Sequence, residues 1–202
     1  DLNSSTWTGV NENDQYIPSS MLKVLTLVAY LKMAKDNPDV LVERAYYEAS
    51  KDDGQQYPPE NVLTTGTYSA KTLLQQGIVE SDNVAIKVVE KLHTEEILDT
   101  YSDLRLPNPI DKGTDNDFMS PEQYSNVFRV LYSSTYLPRS YSEEALKLLT
   151  LTNFDKGWVA GVLKGILVAH KFGEHSRLVG EIVGERQLHD CGIVYYPKHP
   201  YF

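Results

Sequence analysis

The stretch from Met21 to Leu31 is apolar at positions 21, 22, 24, 25, 27, 28 and 31. On a helical period those positions surround most of the cylinder, which places the helix, about Ser19 to Lys35, at the centre of the fold. One residue breaks the pattern. Lys23 lies inside the run, where an ammonium is costly to bury, and Ser20 stands one helical turn before it. Residues three apart share a helix face, so the amine can reach the hydroxyl. Serine is a weak nucleophile until a base takes its proton, and a lysine made neutral by desolvation or by a second cation can be that base.

The rest of the composition narrows the setting. A chain of 202 residues, 41% hydrophobic and 23% charged, fits one globular domain with a real core. Its net charge of -9 argues against nucleic acid or an anionic membrane as partner. Apolar stretches such as Val24–Leu31 fall far short of the ~20 residues of a membrane span, and no secretory leader pattern opens the chain, so this segment is expected to be soluble and to make no membrane contact. Cys191 is the only cysteine, which excludes an intrachain disulfide, and its neighbours Ile193 and Val194 mark it as a small buried hydrophobe. His170, His175, His189 and His199 do not form a ligand spacing with carboxylates or with Cys191, so no metal and no cofactor are expected.

Local pattern predicts a short strand at Trp7–Val10, a polar turn over 11–15, helices near 19–35 and 40–49, and a loop over 50–59. Further helices are expected at 68–76, 84–92 and 94–104, followed by a loop over 105–117 with two prolines and one glycine. Ser120-Pro121-Glu122-Gln123 has the form of a capping box opening a helix to about Tyr132. Ser142 caps another helix ending near Leu149, a shorter piece follows at 159–163, and strands are expected at 166–172 and 192–196. A strand, many helices and then strands imply an α+β fold: an antiparallel sheet drawn from both chain ends and an all-helical lobe over about 40–150, within one domain of 1–202.

Two short motifs join the first. Ser81-Asp82-Asn83 occupies the break between two helices, and Lys171-Phe172-Gly173 ends a strand. Each residue also has an ordinary structural use: Ser81, Asp82 and Asn83 as turn and cap, Lys171 as an ion-pairing strand residue. In the order Ser-x-x-Lys, Ser-Asp-Asn, Lys-x-Gly, however, they resemble the signature of the penicillin-recognising serine hydrolase superfamily, in its class A β-lactamase-like, D,D-peptidase-related branch. That resemblance implies a mixed α/β sandwich and an acyl-enzyme mechanism. Ser20 would be the nucleophile and Lys23 its proton acceptor, with Ser81 passing a proton to the leaving group. Lys171 would bind substrate carboxylate and depress the pKa of Lys23. Asn83 would hold a substrate amide, and the backbone N–H groups of Ser20 and Glu174 would form the oxyanion hole. Phe172 and Gly173 would line the strand edge, Gly173 letting substrate backbone approach closely.

The departures also bear on function. Phe172 replaces the threonine of Lys-Thr-Gly, so a hydroxyl that could bind substrate carboxylate is gone. The interval Val84–Met119 lacks the Arg-x-Glu-x-x-Leu-Asn string that supplies the deacylating glutamate of class A enzymes, although Asp115 and Asp117 lie there. The expectation is therefore a serine hydrolase or acyltransferase acting on a peptide, amide or ester, with a small-molecule or peptide substrate related to peptidoglycan or to β-lactams. The alternative is a catalytically weak β-lactam- or peptide-binding sensor domain. Relative to the family, the chain begins after the first strand and stops as another starts near His199. The expectation is a piece of a longer, extracytoplasmic product with a secretion signal or anchor upstream.

Overall fold

The apolar run around Lys23 becomes α1, Lys23–Asp36, in a computed structural model that describes residues 1–50, 55–112, 117–179 and 182–202. Val24, Leu25, Val28, Tyr30 and Ala34 have no or almost no exposed surface, so α1 is the central helix its pattern implies. Its entry differs from expectation. Ser19–Leu22 form a 3₁₀ turn with Met21 N–H bonded to Pro18 O at 3.1 Å, Ser19 lies at φ 49°, and no side chain among the described residues caps it. The tighter 3₁₀ ladder is a common way for a helix to begin.

The helix expected at 40–49 is a second correction. Pro38–Leu41 make a short 3₁₀ turn, and β1 (Arg44–Tyr47) pairs antiparallel with β2 (Gly66–Ser69). Ala45 and Tyr47 point inward while Arg44 and Tyr46 face out, a period of two that the flanking Val and Leu residues obscured. β2 takes the first residues assigned to the next helix, so α2 (Ala70–Val79) starts after Ser69, whose hydroxyl accepts from Thr72 N–H at 3.2 Å. Then come α3 (Asn83–Leu92), α4 (Thr94–Asp103) and a four-residue α5 (Pro109–Lys112) within the expected loop.

Both bonds of the capping box predicted at Ser120 form, and α6 (Pro121–Ser133) follows. α7 (Arg139–Leu149) begins after Pro138, not at Ser142, which is fully buried within it. After α8 (Trp158–Gly161), β3 (Val168–Val179) and β4 (Ile182–Val194) form an antiparallel hairpin much longer than the two short strands expected. Its outer part, including Ser176, Arg177, Glu185 and Arg186, is exposed, so ladder bonds rather than an apolar face extend it.

Trp7–Val10 is not a strand, and Trp7 and Val10 are 71% and 86% exposed. The chain ends still meet: Leu2 N–H bonds to Pro200 O at 2.8 Å, and Val194 exchanges backbone bonds with Tyr201. The strands among the described residues thus form two antiparallel pairs, β1–β2 and β3–β4, in a mixed helix-and-strand fold.

Candidate active site

At Ser81 the end of α2 meets α1 and β3. The serine has 1% exposure and sits at φ 57°, a left-handed conformation that costs a non-glycine residue about 1–3 kcal/mol. Asp82 holds it there. Its carboxylate caps α3 through Ala85 N–H at 2.9 Å and accepts the hydroxyl of buried Tyr47 at 2.8 Å, which makes it a structural member of the motif. Lys23 Nζ donates to Ser81 O at 2.5 Å and to Ser81 Oγ at 3.3 Å, while Lys171 Nζ, from β3, donates to the same Oγ at 2.9 Å. A hydroxyl has two acceptor lone pairs and one donor. Ser81 Oγ is thus shared between two lysine amines, an arrangement that a proton relay could use.

Ser20 lies in the 3₁₀ turn, half-buried, three residues before Lys23. Three distant elements fix that turn. Tyr124 of α6 donates its hydroxyl to Met21 O at 2.7 Å, Gln187 of β4 accepts Ile17 N–H at 3.2 Å, and Gly173 of β3 packs against it. A Cβ at position 173 would overlap Pro18 O and lie 3.2 Å from Met21 N. Gly173 thus permits the close approach of the chain's own Ser20 turn.

On β3, the carbonyl of His170 accepts Thr152 Oγ1 at 3.0 Å and that of Phe172 accepts Lys171 Nζ at 3.0 Å, so both point off the edge not paired with β4. Antiparallel alternation puts the N–H of Glu174 on that same free edge. Asn83 begins α3 next to the Asp82 cap and is half-buried. Burial, and then the charge of Lys23, hold Lys171 well below the usual lysine range. Of the loop carboxylates, Asp117 accepts Gln187 Nε2 at 3.2 Å and faces Arg177 at 3.7 Å, and Asp115 lies outside the described residues. No group of three His, Cys, Asp or Glu side chains converges as a metal site among the described residues.

A model of the beta-lactamase enzyme family matches residues 1–202. The chain belongs to that family. It is similar in structure to a beta-lactamase from Chitinophaga pinensis, with a TM-score of 0.77, 19% identity, and coverage of 98% of this chain and 78% of the other. A beta lactamase from Xanthomonas campestris pv. campestris gives 0.76 at 18% identity, covering 99% and 77%. For PBP-A the values are 0.70 and 19%, covering 94% and 71%. At such identities the likeness is one of fold. No sequence among the curated proteins matches it significantly.

Within this beta-lactamase-family site, two features escaped the motif reading. Phe172 is 5% exposed and stacks on Phe154 at 4.1 Å, with Tyr57 edge-on to Phe154 at 4.9 Å. Glu80, directly before Ser81, accepts Glu60 N–H and Asn61 N–H at 3.1 Å each, Asn61 Nδ2 at 2.9 Å and Asn153 Nδ2 at 2.7 Å. Those bonds outweigh burial and hold its carboxyl below the usual range. They also anchor the two loops that carry Tyr57 and Phe154. In sequence, Glu80 looks like any solvated acid at a helix end, and only its partners, 19 to 73 residues away, reveal it.

Proposed function

We propose that this protein is a serine hydrolase or acyltransferase working through an acyl-enzyme on Ser20. What supports the reading above all is the convergence of Lys23 and Lys171 on Ser81 Oγ, beside the turn that carries Ser20. Ser20 Oγ attacks a carbonyl carbon and forms a C–O bond as its proton passes to Lys23 Nζ. The proton moves through Ser81 to the nitrogen or oxygen of the leaving group, whose bond to the carbonyl carbon breaks. The N–H groups of Ser20 and Glu174 take the developing oxyanion, each such donor being worth about 3–4 kcal/mol in comparable sites. Asn83 holds a substrate amide, and water or an acceptor amine releases the acyl group. The substrate class is a peptide, amide or ester of peptidoglycan or β-lactam type, and the setting extracytoplasmic. A PBP-A mutant has been described as an acyl-enzyme complex with penicillin G, which is the chemistry carried over here.

The absence of the Arg-x-Glu-x-x-Leu-Asn string makes release slow. Phe172, in place of a threonine, favours a second reading, a sensor that acylates and does not turn over. Intact-protein mass spectrometry after exposure to a penicillin and to an activated ester separates these. A Ser20 adduct that decays supports the enzyme, a persistent one the sensor, and no adduct with either reagent overturns both. Ser20→Ala is expected to abolish labelling while leaving the melting temperature nearly unchanged, since it removes one hydroxyl.

A further inference from the structure

Three polar residues inside the apolar run of α1 fall in one line. Lys23, Thr26 and Tyr30 recur at helical spacing, so they share a face, and their partners lie on α3 or just before it: Ser81 for Lys23, Glu90 Oε1 for the Thr26 hydroxyl at 2.8 Å, and Val89 O for the Tyr30 hydroxyl at 2.8 Å. Thr26 has 1% exposure and Lys23 5%, and Glu90 is half-buried. The Thr26 bond therefore holds a carboxylate on the face of α1 that carries a buried amine one turn away. Packing alone would be served as well by an apolar pair between the two helices. Burial raises the Glu90 carboxyl above the usual range, against the Thr26 bond and the charges of Lys23 and Lys87. Tyr30 and, on α4, Tyr101 also face it, phenols raised by burial and further by its charge. Glu43 and Glu96, both paired to His93, lie beyond Tyr30. On the side toward Ser81, Lys23 shares the serine hydroxyl with Lys171.

We propose that Glu90 is a positioning residue for acylation: as a counter-charge to Lys23 it sets the pH at which Lys23 is a neutral amine able to take the Ser20 proton. The inference rests on the acyl-enzyme reading and names the group that tunes its base. When the Ser20 O–H bond breaks, its proton makes Lys23 an ammonium beside Lys171, and ionised Glu90 stabilises that charge. The same attraction keeps Lys23 protonated at lower pH, so acylation begins to rise at a higher pH than it would without Glu90.

The test reads Lys23 itself. In protein carrying carbon-13 at the lysine ε-carbons, the Lys23 signal is assigned by its loss in Lys23→Arg and titrated by NMR. Glu90→Gln, which keeps the shape and the Thr26 bond, is expected to lower its midpoint by about half a pH unit or more. Glu90→Asp, which keeps the charge, should bring the midpoint at least halfway back. Acylation by p-nitrophenyl acetate, followed as the Ser20 adduct by mass spectrometry, should rise at a correspondingly lower pH in Glu90→Gln. A Lys23 midpoint that Glu90→Gln leaves in place or raises would overturn the proposal, as would one moved equally by Glu90→Asp, which assigns the effect to packing. An acylation profile that stays in place while the Lys23 midpoint moves would overturn it too. Circular dichroism checks folding, and Thr26→Val, which unties the carboxylate and is expected to lower the midpoint by less, decides the matter where Glu90→Gln does not fold. Failure of the acyl-enzyme reading shows separately, as no Ser20 adduct at any pH while the Lys23 midpoint still responds to Glu90.

Discussion

Lys171 has no exposed surface and shares one hydroxyl with Lys23, so its charge is opposed both by burial and by a like charge. Its folded pKa therefore lies below the unfolded value of about 10.4. Between the two pKa values the unfolded chain binds more protons than the folded one, so stability rises with pH across that window and is lowest beneath it. Lys171→Met, which keeps the length and removes the charge, is expected to flatten the rise in urea midpoint between pH 7 and 9.5. Acylation should fall by about 10²–10⁴, the scale of acid–base catalysis, because Ser81 Oγ in the proposed relay loses its bond to Lys171 Nζ. An unchanged slope would show that another group titrates there. Ser20, Lys23, Ser81 and Lys171 are legible in sequence because the proposed acyl transfer needs these residue types. Glu80 and Tyr124 are not, since a carboxylate and a phenol acquire a role only through what they touch.

At the scale of elements, the site depends on how closely β3 packs on the Ser20 turn. Gly173→Ala puts a methyl group against the Pro18 carbonyl, and backbone on both sides leaves little to give way. A cost of about 1–3 kcal/mol is expected, typical of overpacking, and it should appear in chemical denaturation. Acylation should slow beyond what the lost stability explains, because the turn and the Glu174 N–H move apart. A variant with unchanged acylation at full folding would show that the turn tolerates the shift. Misread elements share a cause. β1 lies in a mixed apolar stretch whose helical and strand periods are equally plausible over four residues, and pairing with β2 decides it. The hairpin outgrew its prediction because backbone ladder bonds leave no hydrophobic trace in sequence. Long periodic helices such as α1, and capped ones such as α6, were legible because their signals are local.

Across the whole molecule, Glu80 joins what the chain order separates: the loop at Glu60 and Asn61, the end of α2 and the loop at Asn153. Glu80→Gln should cost about 1–3 kcal/mol at pH 7, since an amide cannot accept four donors. Its folded pKa is lowered, so the native contribution is full above the unfolded value of about 4.3 and is lost as pH falls through the folded one. The gap between Glu80→Gln and the unsubstituted protein, read by thermal melts, should therefore close toward pH 3. A gap that persists there would assign the cost to packing.

The sequence by itself determined the central helix and the three motifs on which the proposed acyl-transfer chemistry rests, because apolar periodicity, caps and residue type act over a few positions. Only the tertiary structure decided that two lysines meet on one serine, that Gly173 makes room for the Ser20 turn, and that Phe172 belongs to an aromatic stack. These depend on contacts between β3, α1 and the end of α2, and distance along the chain carries no record of such approaches.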